Sequence, residues 1–266
     1  MYQEHWGIAD SPFAGVVDPK FFYQSPTHDE ALARLHFLVE QQRRLGVLVG
    51  PSGSGKSLLL EVFCEQMRRK GFETATLSLL GVEPAELLWR LASDWRVALQ
   101  PTRSLTALWR SVDDRLSECR YQRLGAVALL DDVDQAEPDV MRQVMRLVRF
   151  DPSPDVRLTV VLAGRNEGVA RLDSWLLDRV DLRIELEPWD SAELKKYLAT
   201  SLAKAGRKSP VFAESGVARL HELSHGIPRR AAQLADLALV AGAGQELKRI
   251  DADVVEEVFQ ELSAGR

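Results

Sequence analysis

The octapeptide Gly50-Pro51-Ser52-Gly53-Ser54-Gly55-Lys56-Ser57 has the form G-x-x-x-x-G-K-[ST], a spacing suited to holding a chain of phosphates. Its glycines let successive backbone N–H groups turn towards one centre, where the N-terminus of a following helix adds the positive end of its dipole. Lys56 supplies a point charge for the outer phosphates, and the Ser57 hydroxyl is a ligand for Mg²⁺. A glycine-rich turn without chemistry is the alternative, and the flanking pattern argues against it. Gly46-Val47-Leu48-Val49 reads as a short buried strand, and Leu58 to Arg69 as a helix with apolar Leu59, Val62, Phe63 and Met67. Gly50 to Leu58 are therefore the expected phosphate-binding set.

Further along, Ala126-Val127-Ala128-Leu129-Leu130 is a continuous apolar strand that ends in Asp131-Asp132. In a parallel sheet the carboxyl ends of strands are where ligands collect, so Asp131, next to the phosphate loop, is the expected Mg²⁺ partner through a bound water. Asp132 is placed to polarise an attacking water. The strand Leu158-Thr159-Val160-Val161-Leu162 leads to Gly164-Arg165-Asn166-Glu167, where a polar side chain can sense a terminal phosphate; Asn166 has the best-suited chemistry, a capping asparagine being the alternative. Arg179, in Leu176-Leu177-Asp178-Arg179-Val180, reads as a finger stabilising charge on a neighbouring subunit's nucleotide, or else as a plain surface arginine. Arg229 follows Pro228 at the start of a helix, from which it would fold over the outermost phosphate.

The elements that must position these groups alternate. Strands are expected at 46–49, 74–79, 126–130, 158–162 and 182–186, with helices at about 28–44, 58–69, 84–99, 105–118 and 138–150. Most strands are apolar on both faces, which indicates a parallel sheet covered on two sides. Thr27 is read as the N-cap of its helix with Glu30 in the capping-box position. Beyond Pro188 only helical patterns remain, at 191–205, 214–224, 228–241 and 251–262, with Gly242-Ala243-Gly244 as a loop. The expected division is thus an α/β domain at 1–187, including an aromatic and proline-rich N-terminal segment packed on the core, and a small all-helical domain at 188–266. Trp95 and Trp109 are expected in the core.

With 266 residues, 45% of them hydrophobic, the chain can bury a substantial core. Its net charge of −5 opposes a surface that grips nucleic acid as a whole, although Arg142, Arg146 and Arg149 form a stripe opposite Met141, Val144, Met145 and Val148. Cys64 and Cys119 sit in apolar helical patterns, so neither a disulfide framework nor a metal cluster is indicated and a reducing cytoplasm fits. No stretch approaches the ~20 apolar residues that span a bilayer.

Taken together, these positions resemble those of AAA+ ATPases, and most closely the general secretory pathway protein A (ExeA-like) family. The resemblance extends through Met1-Tyr2, Gly7-Ile8, Pro12-Phe13, Asp18-Pro19, Phe22-Tyr23, Ser25-Pro26, His28 and Glu30-Ala31-Leu32, and covers essentially the whole chain. It implies a P-loop three-layer α/β sandwich with a helical lid, ATP and Mg²⁺ binding, a Walker B pair at Asp131 and Asp132, a first sensor near Asn166, an arginine finger at Arg179 and a second sensor at Arg229. It also implies a homo-oligomer in the ATP state, an N-terminal segment and lid that enclose the adenine, and work on a protein complex, with a secretion-related client unidentified. An ATP-switched scaffold with little hydrolysis, or a DNA-associated ATPase similar to those that choose transposition targets, are the other functions compatible with it. This chain departs from the family in three respects. Asp132 stands where Glu is usual, which predicts slow hydrolysis because about 1 Å of misplacement costs on the order of 10²-fold. Gly164-Arg165-Asn166-Glu167 replaces Gly-Gln-Pro-Glu, leaving Arg165 and Asn166 both open as first sensor. The membrane anchor and envelope domain into which secretion members often continue have no counterpart in these 266 residues.

Overall fold

Five short strands carry the fold in the computed structural model, which describes residues 2–13, 22–99, 104–151, 153 and 155–264. Met1, Asp18 and Pro19, used in the N-terminal reading, lie outside the described residues. The strands are β1 (Leu45–Val49), β2 (Glu73–Ser78), β3 (Ala126–Asp131), β4 (Leu158–Gly164) and β5 (Leu182–Glu185). They form one sheet in the order β2-β3-β4-β1-β5, with every neighbouring pair parallel. All residues of β1, β3 and β4 are buried, which explains why these three read as unbroken apolar runs: both faces of an inner parallel strand need cover. The edge strands β2 and β5 alternate with partly exposed positions.

The described residues fall into two compact units, one of His28–Gly50 and Lys56–Leu186, the other of Met1–Thr27, Pro51–Gly55 and Glu187–Arg266. In the sheet unit the helices are most of α2 (Pro26–Glu40), then α3 (Lys56–Arg69), α4 (Pro84–Asp94), α5 (Leu105–Gln122), α6 (Pro138–Val148), α7 (Asn166–Val169) and α8 (Ser174–Leu177). Trp95 and Trp109 are buried in its core. The helical unit contains α1 (Tyr2–Trp6), α9 (Ser191–Lys204), α10 (Glu214–Ser224), α11 (Pro228–Gly244) and α12 (Ala252–Ala264). Its core takes in Trp6, Ile8 and Phe13, and the Trp6 indole N–H donates to Leu239 O at 2.8 Å. The N-terminal aromatics, expected with the α/β domain, are therefore core residues of this unit.

Several expected boundaries are corrected. Thr27 is not a cap. The helix starts two residues earlier, at Pro26, whose fixed φ suits a first helical position, and the Thr27 hydroxyl donates to Glu193 while Glu30 pairs with Arg34. The same helix stops at Glu40, four residues short of expectation, where Gln42 takes a left-handed φ of 53°. Gly242-Ala243-Gly244 is helical rather than a loop: a Cβ on Gly242 would come within 3.0 Å of Trp6, so glycine here serves close packing and not a turn.

Candidate phosphate-binding site

The loop between β1 and α3 has the backbone its glycines allow. Gly53 and Gly55 adopt φ of 84° and 98°, a region that side-chain-bearing residues avoid, and α3 opens directly at Lys56, leaving its first N–H groups without partners within the helix. Lys56 is only 8% exposed, and its ammonium donates to Gly50 O at 2.9 Å. In the helical unit, Gly53 O accepts from the Arg229 N–H at 3.1 Å, and a Cβ on Gly53 would meet Arg229 Cβ at 2.9 Å.

Ser57, one residue into α3, donates to Asp131 Oδ2 at 2.5 Å. The sheet order sharpens the sequence reading here: β4 lies between β3 and β1, so Asp131 ends the second strand over rather than the neighbour, and it is the first turn of α3 that meets it. Asp131 is 7% exposed. Burial pushes its carboxyl above the ordinary carboxylate range, against the lowering effect of the Ser57 hydroxyl and the Asp132 N–H. A hydroxyl and a carboxylate so close are two oxygen donors of the kind Mg²⁺ takes, and Mg²⁺ sites use one or two protein ligands with water and phosphate completing the shell. These residues fit such an ion.

Asp132 adopts φ 53°, ψ 36°, a left-handed conformation that asparagine and aspartate tolerate better than other residues, and leads a 3₁₀ turn at Val133–Gln135. Its carboxylate accepts from Ser78 Oγ at 2.7 Å, so it is turned towards the end of β2.

At the end of β4, Arg165 and Asn166 part company. Arg165 is committed to Asp134: its Nε donates to Oδ2 at 2.7 Å and its N–H to Oδ1 at 3.3 Å. The Asp134 side chain is 2% exposed; burial raises its pKa, but the hydrogen bonds from Arg165 and Gln135 more than reverse this and hold it below the usual carboxylate value. Gly164 and Gly168 make room for it, since a Cβ on Gly168 would stand 2.1 Å from Asp134 Cβ. Asn166 instead donates through Nδ2 to Glu185 Oε1 at 2.6 Å, and its Oδ1 is buried with no hydrogen-bond partner among the described residues. Register puts Gly164 and Glu185 on either side of Val49, the last residue of β1.

Arg179 stands apart from these groups, its guanidinium 3.9 Å from the Trp175 ring centroid and its Nη1 donating to Trp175 O. On α6 the expected stripe holds for the arginines but not for its apolar partners, because Val140 and Leu147 are buried with Val144 and Val148 while Met141 and Met145 are half-buried. Arg142 pairs with Asp139, and Arg146 lies 4.1 Å over Trp109 with Asp113 at 3.8 Å. Ser78, Asp134 and Glu185, the hydrogen-bond partners of Asp132, Arg165 and Asn166, escape the sequence reading. The signals available were polar residues at strand ends and the Asp132-x-Asp134 spacing.

A model of the AAA domain matches residues 39–172. The chain is 27% identical over 245 residues to General secretion pathway protein A of Aeromonas hydrophila, covering 91% of this chain and 45% of that protein, so it spans less than half the relative's length. Among solved structures it is similar to Cdc6p from Pyrobaculum aerophilum, with a TM-score of 0.75 at 17% identity over 96% of this chain and 71% of that one. It is also similar to Drosophila ORC bound to DNA (TM-score 0.73, 17% identity, 98% and 65% coverage) and to the RuvB Holliday junction branch migration motor of Thermotoga maritima (0.60, 17%, 94% and 73%). At these identities the likeness establishes a shared fold.

Proposed function

Because the chain belongs to the AAA domain family, we propose that it binds ATP with Mg²⁺ and hydrolyses it slowly, using the cycle to assemble or remodel a protein complex. The observation that supports this most directly is the 2.5 Å contact of Ser57 Oγ with Asp131 Oδ2 beside the buried Lys56. In this reading Gly50 to Leu58 wrap the phosphates, Lys56 binds the outer ones, and Ser57 and Asp131 hold the ion. When bound, Mg²⁺ neutralises charge on the transferred phosphoryl group. Asp132 orients the attacking water and Asn166, with its unpaired buried oxygen, accepts a hydrogen bond from it. Arg179 completes a neighbouring copy's site, and Arg229 senses the outermost phosphate from a helical lid at 188–266. A secretion-related complex at the cytoplasmic side is the client class, on the strength of the Aeromonas relative's name. Among the described residues no helix is long and apolar enough to cross a membrane.

The Ser78–Asp132 hydrogen bond favours one second reading, an ATP-switched scaffold that rarely turns over, because it directs the candidate base towards β2. Steady-state hydrolysis of Mg²⁺-ATP tests both. The ATPase reading expects slow turnover that Lys56→Ala abolishes and Asp132→Glu accelerates. ATP binding with no turnover in either the native protein or Asp132→Glu leaves the scaffold, and undiminished turnover in Lys56→Ala removes the site assignment.

A further inference from the structure

Asn166 and Glu185 meet across the carboxyl end of the sheet. Register sets Gly164 and Glu185 on opposite sides of Val49, and β1 runs from there into the phosphate loop at Gly50. The Asn166 Nδ2 donates to Glu185 Oε1 at 2.6 Å, short as bonds to carboxylates are. A carboxylate only accepts, whereas a side-chain amide has donors on one arm and an acceptor on the other. The contact therefore fixes which arm is which, because reversing the amide would set two oxygens against each other at that distance. With the nitrogen committed to the edge strand, the oxygen is the arm turned inward, and it is buried with no hydrogen-bond partner among the described residues. Packing does not call for a glutamate at this position: Glu185 is exposed, and its neighbours Ile184 and Leu186 carry the burial.

We infer that Glu185 is a positioning residue, which holds the Asn166 amide in one orientation and so makes Asn166 a holder of the attacking water rather than a donor to the terminal phosphate. This rests on the reading of Asn166 given above and deepens it. A side chain that senses the outermost phosphate needs an N–H for it, since phosphate oxygens accept, whereas one that orients water for attack can use its oxygen. The hydrogen bond to Glu185 selects the second role. Binding and turnover are thereby separated: the Asn166 oxygen gains nothing from the extra phosphate of ATP over ADP, and its contribution falls on the rate. Glu185→Gln removes the selection at nearly constant size, because a glutamine amide can pair with Asn166 in either orientation.

The test measures Mg²⁺-ATP and Mg²⁺-ADP binding by calorimetry, beside steady-state turnover, in the native chain, Glu185→Gln, Asn166→Ala and the double variant. Glu185→Gln should lower kcat about three- to tenfold and raise the preference for ATP over ADP by a similar factor, as Asn166 becomes free to turn its N–H to the phosphate. Lost packing alone would not raise that preference. In an Asn166→Ala background both effects of Glu185→Gln should vanish, because they act through that amide. An ATP-to-ADP affinity ratio unchanged by Glu185→Gln overturns the inference, and so does an effect of Glu185→Gln that persists in Asn166→Ala. Failure of the ATPase reading looks different. A native chain that binds ATP without turnover removes the reaction, yet a ratio raised by Glu185→Gln only while Asn166 is present still supports the hold of Glu185 on the amide. A native chain that binds neither nucleotide overturns the site assignment and this inference together.

Discussion

Asp131 and Asp134 stand three positions apart on one stretch of chain, yet their surroundings move their carboxyls in opposite directions. Asp131 is raised, chiefly by burial, so folding favours its protonated form and its contribution to stability declines as pH rises from 3.8 through the raised value. Asp134 is lowered despite burial, because Arg165 and Gln135 hydrogen-bond its charged form; its contribution is complete above 3.8 and is lost as pH falls through the depressed value. Denaturant midpoints measured across acid pH should therefore gain at the upper end in Asp131→Asn, while Asp134→Asn should lower the midpoint at neutral pH and flatten its fall in acid. A second readout belongs to Asp131 alone: metal-dependent nucleotide affinity should drop as pH falls through its raised value. The loop glycines, Lys56, Ser57 and Asp131 were legible because a contiguous motif or an apolar run fixes them locally. Ser78, Asp134 and Glu185 were not, since each acquires its role from a partner 54, 31 or 19 positions away that only the sheet order brings near.

Elements were easier to find than to delimit. All five strands were expected, the inner three from their apolar runs, and the helix starts marked by Pro84, Pro138 and Pro228 agree with the structure because proline fits the first turn without losing a needed N–H. Ends were harder: α4 stops at Asp94, ahead of Trp95 and a left-handed Arg96, where an apolar pattern continuing to Leu99 promised more helix. The four-residue helices α7 and α8 are too short for any periodicity to reveal. Short as it is, α7 depends on Gly168 to approach the 3₁₀ turn that follows Asp132. Gly168→Ala should push a Cβ into Asp134, which stands 2.1 Å away, and cost about 1–3 kcal/mol of stability by thermal or denaturant unfolding. The separation of the 3₁₀ turn from α7 should also lower kcat more than it raises KM for ATP, since it displaces Asp132 and Asn166 rather than the phosphate loop.

For the whole molecule the sheet, its α/β class and a separate helical region could be read from the sequence, whereas the packing of the N-terminal aromatics in the helical unit could not, because an irregular segment carries no period that points to a partner. If Arg179 acts across copies, Arg179→Ala should keep its ATP affinity and lose concentration-dependent activity. Adding Lys56→Ala protein, which still donates an intact Arg179, should recover part of it in a coupled phosphate-release assay. A trans arginine is worth roughly 10³ to 10⁵ in rate where its contribution has been defined, so even partial recovery stands clear of background. The position of β1 in the sheet has a consequence for biosynthesis. That strand is translated well before its hydrogen-bonding partners β4 and β5, residues 158–164 and 182–185, so the phosphate loop that follows it has no scaffold until most of the sheet unit has been translated. Nascent chains stalled before Gly164 emerges should leave the loop open to protease and unable to retain ATP, and protection should appear only once Glu185 is clear of the ribosome; until then the newborn chain presents bare strand edges and is at its greatest need of a chaperone.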